Sequence, residues 1–129
     1  MKSNKLFWIV AIIFGVLLAV QQLQASGGVD VRQAHLLNQQ GALLLDVREP
    51  EEYSALHAPN AKLIPLGQLS SRMKEIVSYK DKPIVVVCRS GRRSAQAVSL
   101  LQEAGYSQVS NVSGGMNAWA GEGLEVIRM

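Results

Sequence analysis

Hydrophobic and polar positions change their spacing several times along the chain, and each change predicts an element. Residues 31–40, VRQAHLLNQQ, follow Asp30, a natural N-cap, and stop at Gly41, which predicts a first helix. Residues 42–47, ALLLDV, form an unbroken apolar run ending in charge, as in a strand buried on both faces. Glu49, Pro50, Glu51 and Glu52 then open a helix to about His57, with proline and acids in its first turn. A short strand is predicted over residues 62–65, and Leu66, Leu69, Met73, Ile76 and Val77 return to helical spacing. Pro83 introduces Ile84, Val85, Val86, Val87 and Cys88, a β-branched run too apolar for an edge strand. Residues 93–104 predict a helix with Ala95, Val98, Leu101 and Ala104 on one stripe and Gly105 at its end. A short strand over residues 109–112 follows, and Gly114 and Gly115 begin a last helical turn through Trp119. Strands alternating with helices predict an α/β domain, with a mainly parallel central sheet and helices on both faces.

Residues 6–20 stand outside this alternation. They are apolar or small throughout, with Lys2 and Lys5 before them and a polar stretch, residues 21–28, after them. A basic start, an apolar centre and a small-residue exit make the layout of a secretory signal, with Ala25 before the cut. Leu23 is a poor residue two places earlier, so an uncleaved signal anchor is the other reading. A bilayer span needs about 17 to 25 apolar residues, and this run is short of that. Both readings keep the basic end in the cytoplasm and export the rest. The expected location is the periplasm, either free or anchored in the inner membrane. Residues 1–25 are accordingly set apart as a signal peptide or anchor, and residues 29–129 as the domain.

Composition narrows the class. The chain has 129 residues, 48% of them hydrophobic and 18% charged, which excludes a disordered tail, a collagen-like repeat and a coiled-coil rod. The net charge of +3 owes two units to Lys2 and Lys5, leaving 11 basic against 10 acidic residues elsewhere. That balance does not fit a nucleic-acid binder, which carries a clustered basic surface. The single cysteine, Cys88, excludes an internal disulfide and a CxxC motif. With only His35 and His57 besides it, no metal site can be assembled, and no cofactor is expected.

The chemistry concentrates where the second apolar run ends, at Cys88-Arg89-Ser90-Gly91-Arg92-Arg93. Sites in parallel α/β sheets form at the carboxyl ends of strands. A short loop entering a helix turns its N–H groups toward one point and attracts anions, and Gly91 permits the backbone angle this needs. A thiol there is pushed toward thiolate by the amides, the helix dipole and nearby arginines. The bland reading is a buried structural cysteine. Three arginines in the next five positions cannot all be core residues, which argues against it.

Cys88-Arg89-Ser90-Gly91-Arg92-Arg93-Ser94 resembles the active-site loop of the rhodanese family. Asp46-Val47-Arg48-Glu49-Pro50-Glu51-Glu52-Tyr53 is similar to that family's early D-V-R-x-x-x-E-[FY] signature, with His57, Ala61 and Ile64-Pro65-Leu66 beyond it. Gly114-Gly115-Met116-Asn117-Ala118-Trp119 and Gly123-Leu124 resemble the closing signature. Glu125 stands where proline is common, and Pro59-Asn60 replaces the usual glycine before Ala61, both outside the nucleophile loop.

The resemblance implies a rhodanese-like fold and a sulfurtransferase. Cys88 takes the outer sulfur of a donor such as thiosulfate, becomes a persulfide, and passes the sulfur to cyanide or a thiol. Arg93 is the basic residue closing the loop and is expected at the donor's charged end. Ser90, Gly91 and the following amides line the persulfide cradle, and Ser94 caps or enters the helix. Arg89 and Arg92 steer anions or are solvated loop charges. Asp46 and Arg48 are supporting residues, read either as approaching the loop or as a structural ion pair. His57 is read as structural, because a thiolate needs no general base. A cysteine phosphatase would need a loop one residue longer and an acid in it to protonate the leaving group, and both are missing. The remaining alternative is a persulfide relay or binding module serving a partner protein.

Overall fold

The computed structural model describes Lys5, residues 8–11 and residues 28–129. The signal or anchor reading of residues 1–25 therefore falls outside the described residues except for Lys5 and a helical fragment at 8–11. Among the described residues no helix is long and apolar enough to cross a membrane.

Four parallel strands form the centre of the domain: β1 (Leu43–Asp46), β2 (Lys62–Leu63), β3 (Ile84–Val87) and β4 (Val109–Asn111), in spatial order β2–β1–β3–β4. β1 and β3, the two long apolar runs, lie side by side in the middle, from Leu43 opposite Ile84 to Asp46 opposite Val87. A parallel bridge from Val29 to Val112 continues the sheet beyond β4. Alternate residues of the central strands face opposite sides, so each strand feeds two cores. Leu43, Leu45, Ile84, Val86 and Cys88 point into one, and Leu44, Val85 and Val87 into the other. Full burial of such side chains is worth about 1.5 to 3 kcal/mol each, which makes these strands the main anchor of the fold.

Five α-helices cover the two faces: α1 (Val31–Gln39), α2 (Pro50–Ala55), α3 (Leu69–Arg72), α4 (Arg92–Glu103) and α5 (Gly115–Gly121). α1 begins as the sequence predicts, with the Asp30 carboxylate accepting from the Gln33 amide and the Gln33 side chain accepting from Asp30 N–H. α1 and α5 pack on one face around Val31, Ala34, Met116 and Trp119, and α4 lies on the other with Ala97 and Leu101.

Two local expectations are corrected. Residues 66–77 do not make one helix. They form a 3-10 turn, the single turn of α3, and a 3-10 stretch Met73–Tyr79 broken at Ile76, whose φ is −121°. The Leu66 N–H is tied to the Val47 carbonyl, so the segment starts fastened to the end of β1 and continues in tight turns, burying Leu69 and Ile76. The buried stripe of α4 is also turned: Ser94, Ala97 and Leu101 face inward, while Ala95 and Ala104 are exposed. Hydrophobicity favours Ala over Ser as a core residue. Hydrogen bonds at the Ser94 hydroxyl remove the cost of burying it.

Candidate active site

β3 ends at Val87, and Cys88 follows at the carboxyl edge of the sheet with 1% of its surface exposed. The chain then turns through residues 89–91 into α4, and Gly91 takes φ +114° at the helix N-cap. That left-handed angle strains any residue with a Cβ, which explains the glycine. The turn brings the Gly91 N–H to 3.0 Å from Cys88 Sγ, and the Ser94 hydroxyl to 3.3 Å. Burial acts to raise the thiol's pKa. Hydrogen bonds from the Ser94 hydroxyl and from the amides of Ser94, Gly91 and Ser90 outweigh it and hold Cys88 below its ordinary value. Amides and a hydroxyl are the main favourable causes, and Arg93 and the ionised sulfur also attract each other, as the sequence suggests.

The loop is braced from two neighbouring elements. On β4, the Asn111 amide donates to the Gly91 carbonyl at 3.1 Å, which turns its oxygen toward Ser94 Oγ at 2.5 Å. The single Ser94 proton thus has two acceptors, Asn111 and the cysteine sulfur. At the start of α5, Met116 N–H donates to the Cys88 carbonyl at 2.8 Å and Asn117 N–H to the Arg89 carbonyl at 3.0 Å. Gly115, at φ +54°, lets α5 come this close, since a Cβ there would collide with the carbonyl oxygens of Cys88 and Arg89.

The arginines separate into three environments. Arg93 forms a two-pronged ion pair with Glu52 of α2, at 2.5 and 2.8 Å. The Arg93 hydrogen bonds dominate over partial burial and hold the Glu52 carboxyl at about 2, while Glu52 raises Arg93 further above its ordinary value. Arg89 and Arg92 point outward, exposed and without an ion pair among the described residues. Arg48 is buried against Asp46 at 2.8 Å and also donates to the carbonyls of Glu52 and Leu56. The bonds of Asp46 and Arg48 run to each other and to the backbone of α2, so this pair fixes the helix that carries Glu52. Between α2 and α5 lies an open cleft of about 340 Å³, bordered by Arg48, Glu52, Leu56, Arg89, Met116 and Asn117.

His57 is buried, stacks on Tyr53 with ring centroids 3.7 Å apart, and bonds through Nδ1 to the Tyr53 carbonyl at 2.8 Å. His35 meets the edge of Trp119, in the cluster that also buries Ala58. Among the described residues no group of three His, Cys, Asp or Glu side chains is placed to hold a metal ion.

Asn111 and the Glu52–Arg93 pair are what the sequence reading missed. Asn111 had one weak signal, an amide side chain beside Ser110 in a short strand between Val109 and Val112. The ion pair joins residues 41 positions apart and had none.

A parallel α/β sheet thus delivers a buried, ionisable thiol into an amide-lined loop, an arrangement able to hold a small anion. The chain belongs to the rhodanese family, for the rhodanese-like domain model matches residues 29–122. A sulfurtransferase of Allochromatium vinosum is 40% identical over 92 residues, covering 71% of this chain and 84% of that protein. The thiosulfate sulfurtransferase GlpE of Pseudomonas syringae is 37% identical over 87 residues, 67% of this chain and 80% of its own. The crystal structure of a rhodanese-related protein from Thermoplasma volcanium superposes with a TM-score of 0.71 at 31% identity, over 79% of this chain and 98% of that one.

Proposed function

We propose that the protein is an exported single-domain sulfurtransferase that moves sulfane sulfur from a thiosulfate-class donor, through a persulfide on Cys88, to cyanide or a thiol. The observation that carries this reading is the buried Cys88 sulfur, held toward thiolate by the Gly91 amide and the Ser94 hydroxyl. Similarity to the Allochromatium and Pseudomonas sulfurtransferases supports it.

The thiolate attacks the outer sulfur of thiosulfate. A new S–S bond forms at Cys88, the donor's S–S bond breaks, and its electron pair leaves on sulfite. The charge count is unchanged, because a thiolate and a dianion become a perthiolate and a dianion. Cyanide or an acceptor thiolate then attacks the outer persulfide sulfur, and the Cys88 thiolate is regenerated. The loop amides that face Sγ would hold the persulfide's negative charge, and Arg93, Arg89 and Arg92 would receive or steer the donor. The covalent persulfide carries the sulfur with no metal or other cofactor in these steps.

The basic residues that precede the apolar run of residues 6–20 support the export part of this reading. Whether that segment is cut sets whether the domain is free or tethered.

Intact-mass spectrometry of the natural protein after thiosulfate treatment tests both parts. The expected result is one added sulfur atom on a chain recovered from the cell envelope, and none on a folded Cys88→Ser variant. No sulfur gain by the wild type, or an equal gain by the serine variant, overturns the mechanism. Recovery of the chain from the cytoplasm overturns the export.

A further inference from the structure

Arg93 is the loop arginine best placed by sequence for an anionic donor, and its guanidinium is already engaged. Two parallel N–H···O bonds to Glu52 occupy the fork that a donor's oxygens would use. We propose that Glu52 is a specificity-determining residue: its carboxylate is an internal stand-in for the anionic donor, and a small anion reaches Arg93 only by displacing it. The proposal rests on reading Cys88 as the sulfur acceptor, and it sets a threshold on which donors the site admits.

Several observations support the competition. Held at about 2 by its bonds to Arg93, Glu52 stays ionised at any working pH and is not released by protonation. Its Oε1 also accepts from the Glu49 N–H at 3.1 Å, so the carboxylate is positioned from two sides. The paired side chains of Arg93 and Glu52 keep 32% and 29% exposure, enough for an incoming anion to meet them. Glu52 borders the cleft between α2 and α5, which gives a displaced carboxylate room to swing. Arg89 and Arg92 have no such competitor and attract anions of any kind, so selectivity is left to the guarded arginine.

The test uses two alkylating agents of nearly equal shape, anionic iodoacetate and neutral iodoacetamide, on Cys88 of the full chain. Their rate ratio cancels changes in thiol reactivity and reads only the treatment of the anion's charge. Glu52→Gln keeps the size and an oxygen acceptor for the Glu49 N–H while removing the competing charge. The ratio is expected to rise about three- to tenfold in Glu52→Gln at both low and high ionic strength. Glu49→Gln removes a charge that acts on Arg93 without bonding to it, and should raise the ratio only at low salt. Adding Arg93→Ala to Glu52→Gln should return the ratio to the wild-type value or below. An unchanged ratio in Glu52→Gln, or a gain that vanishes at high salt as for Glu49→Gln, overturns the proposal. In parallel, KM for thiosulfate should fall in Glu52→Gln with kcat retained. A raised alkylation ratio without sulfur transfer in any form of the protein would leave the guard standing and remove the sulfur-transfer reading instead.

Discussion

Ser94 places a fully buried hydroxyl 3.3 Å from Cys88 Sγ, and among the described residues it is the one side chain that hydrogen-bonds the sulfur. The same oxygen stands 2.5 Å from Asn111 Oδ1, so ionisation of the thiol and the brace on β4 share one proton. A negative sulfur draws that proton toward itself, and a neutral thiol leaves it with Asn111.

Replacing Ser94 by Ala should therefore raise the Cys88 pKa. A hydrogen bond to a charged group is worth about 1.5 to 3 kcal/mol, or about one to two pH units. Wild-type Cys88 sits below the ordinary thiol value, so its reactive form persists to lower pH and is lost as pH falls through the depressed pKa. Ser94→Ala should move the midpoint of iodoacetamide reactivity upward by that amount. An unmoved midpoint would show that the backbone amides alone set the thiolate.

Gly115→Ala should destabilise the domain by about 3 kcal/mol or more, from a strained left-handed angle together with a clash against two loop carbonyls. Gly123 has a similar angle, φ +76°, but open space around it. Gly123→Ala should therefore cost about 1 to 2 kcal/mol, the strain alone. Urea denaturation of the two variants separates the terms. Equal losses would mean that the close approach of α5 to the loop carries no stability.

The three loop arginines should differ in their response to salt. Arg93→Ala is expected to lower kcat/KM for thiosulfate at low and high ionic strength alike, because a direct contact is lost. Arg89→Ala and Arg92→Ala remove charges that act through a field screened beyond about 8 Å at physiological salt, and should matter mainly at low ionic strength. Kinetics at two salt concentrations check this. A salt-independent loss at Arg92 with none at Arg93 would give the donor's charge to Arg92.

What could be read from the sequence was what depends on near neighbours. The runs at Leu43 and Ile84 declared two buried parallel strands because both faces of each are covered. Asp30 and Gln33 declared a capped helix start, and Pro50 and its acids declared another. Cys88 and Gly91 could be placed in one loop because only the local turn is needed to bring them together. Contacts made by the fold as a whole were hidden. Asn111 reaches Ser94 only once β4 lies beyond β3, and Glu52 reaches Arg93 only once α2 packs beside the loop. The turned stripe of α4 has the same origin: polarity kept Ser94 out of the core on paper, and a distant strand supplied the partner that lets it in. Residues 66–77 depart from a single helix because helical spacing says nothing of the tether from Leu66 to Val47.

Cys88 is the chain's sole cysteine, and its sulfur lies beneath the surface with 1% of the residue exposed. A disulfide requires two sulfurs about 2.05 Å apart, a distance that two equally sunken thiols on folded molecules cannot reach. Burial of the sulfur thus opposes cross-linking between folded copies. A thiosulfate-sized donor is the reagent that the proposed reaction would bring to it. Any sulfur atom left on Cys88 by such a reagent lies on the side from which it came, one bond farther out than the atom that the chain itself supplies. An acceptor therefore meets the borrowed atom first and has no need to descend to the cysteine.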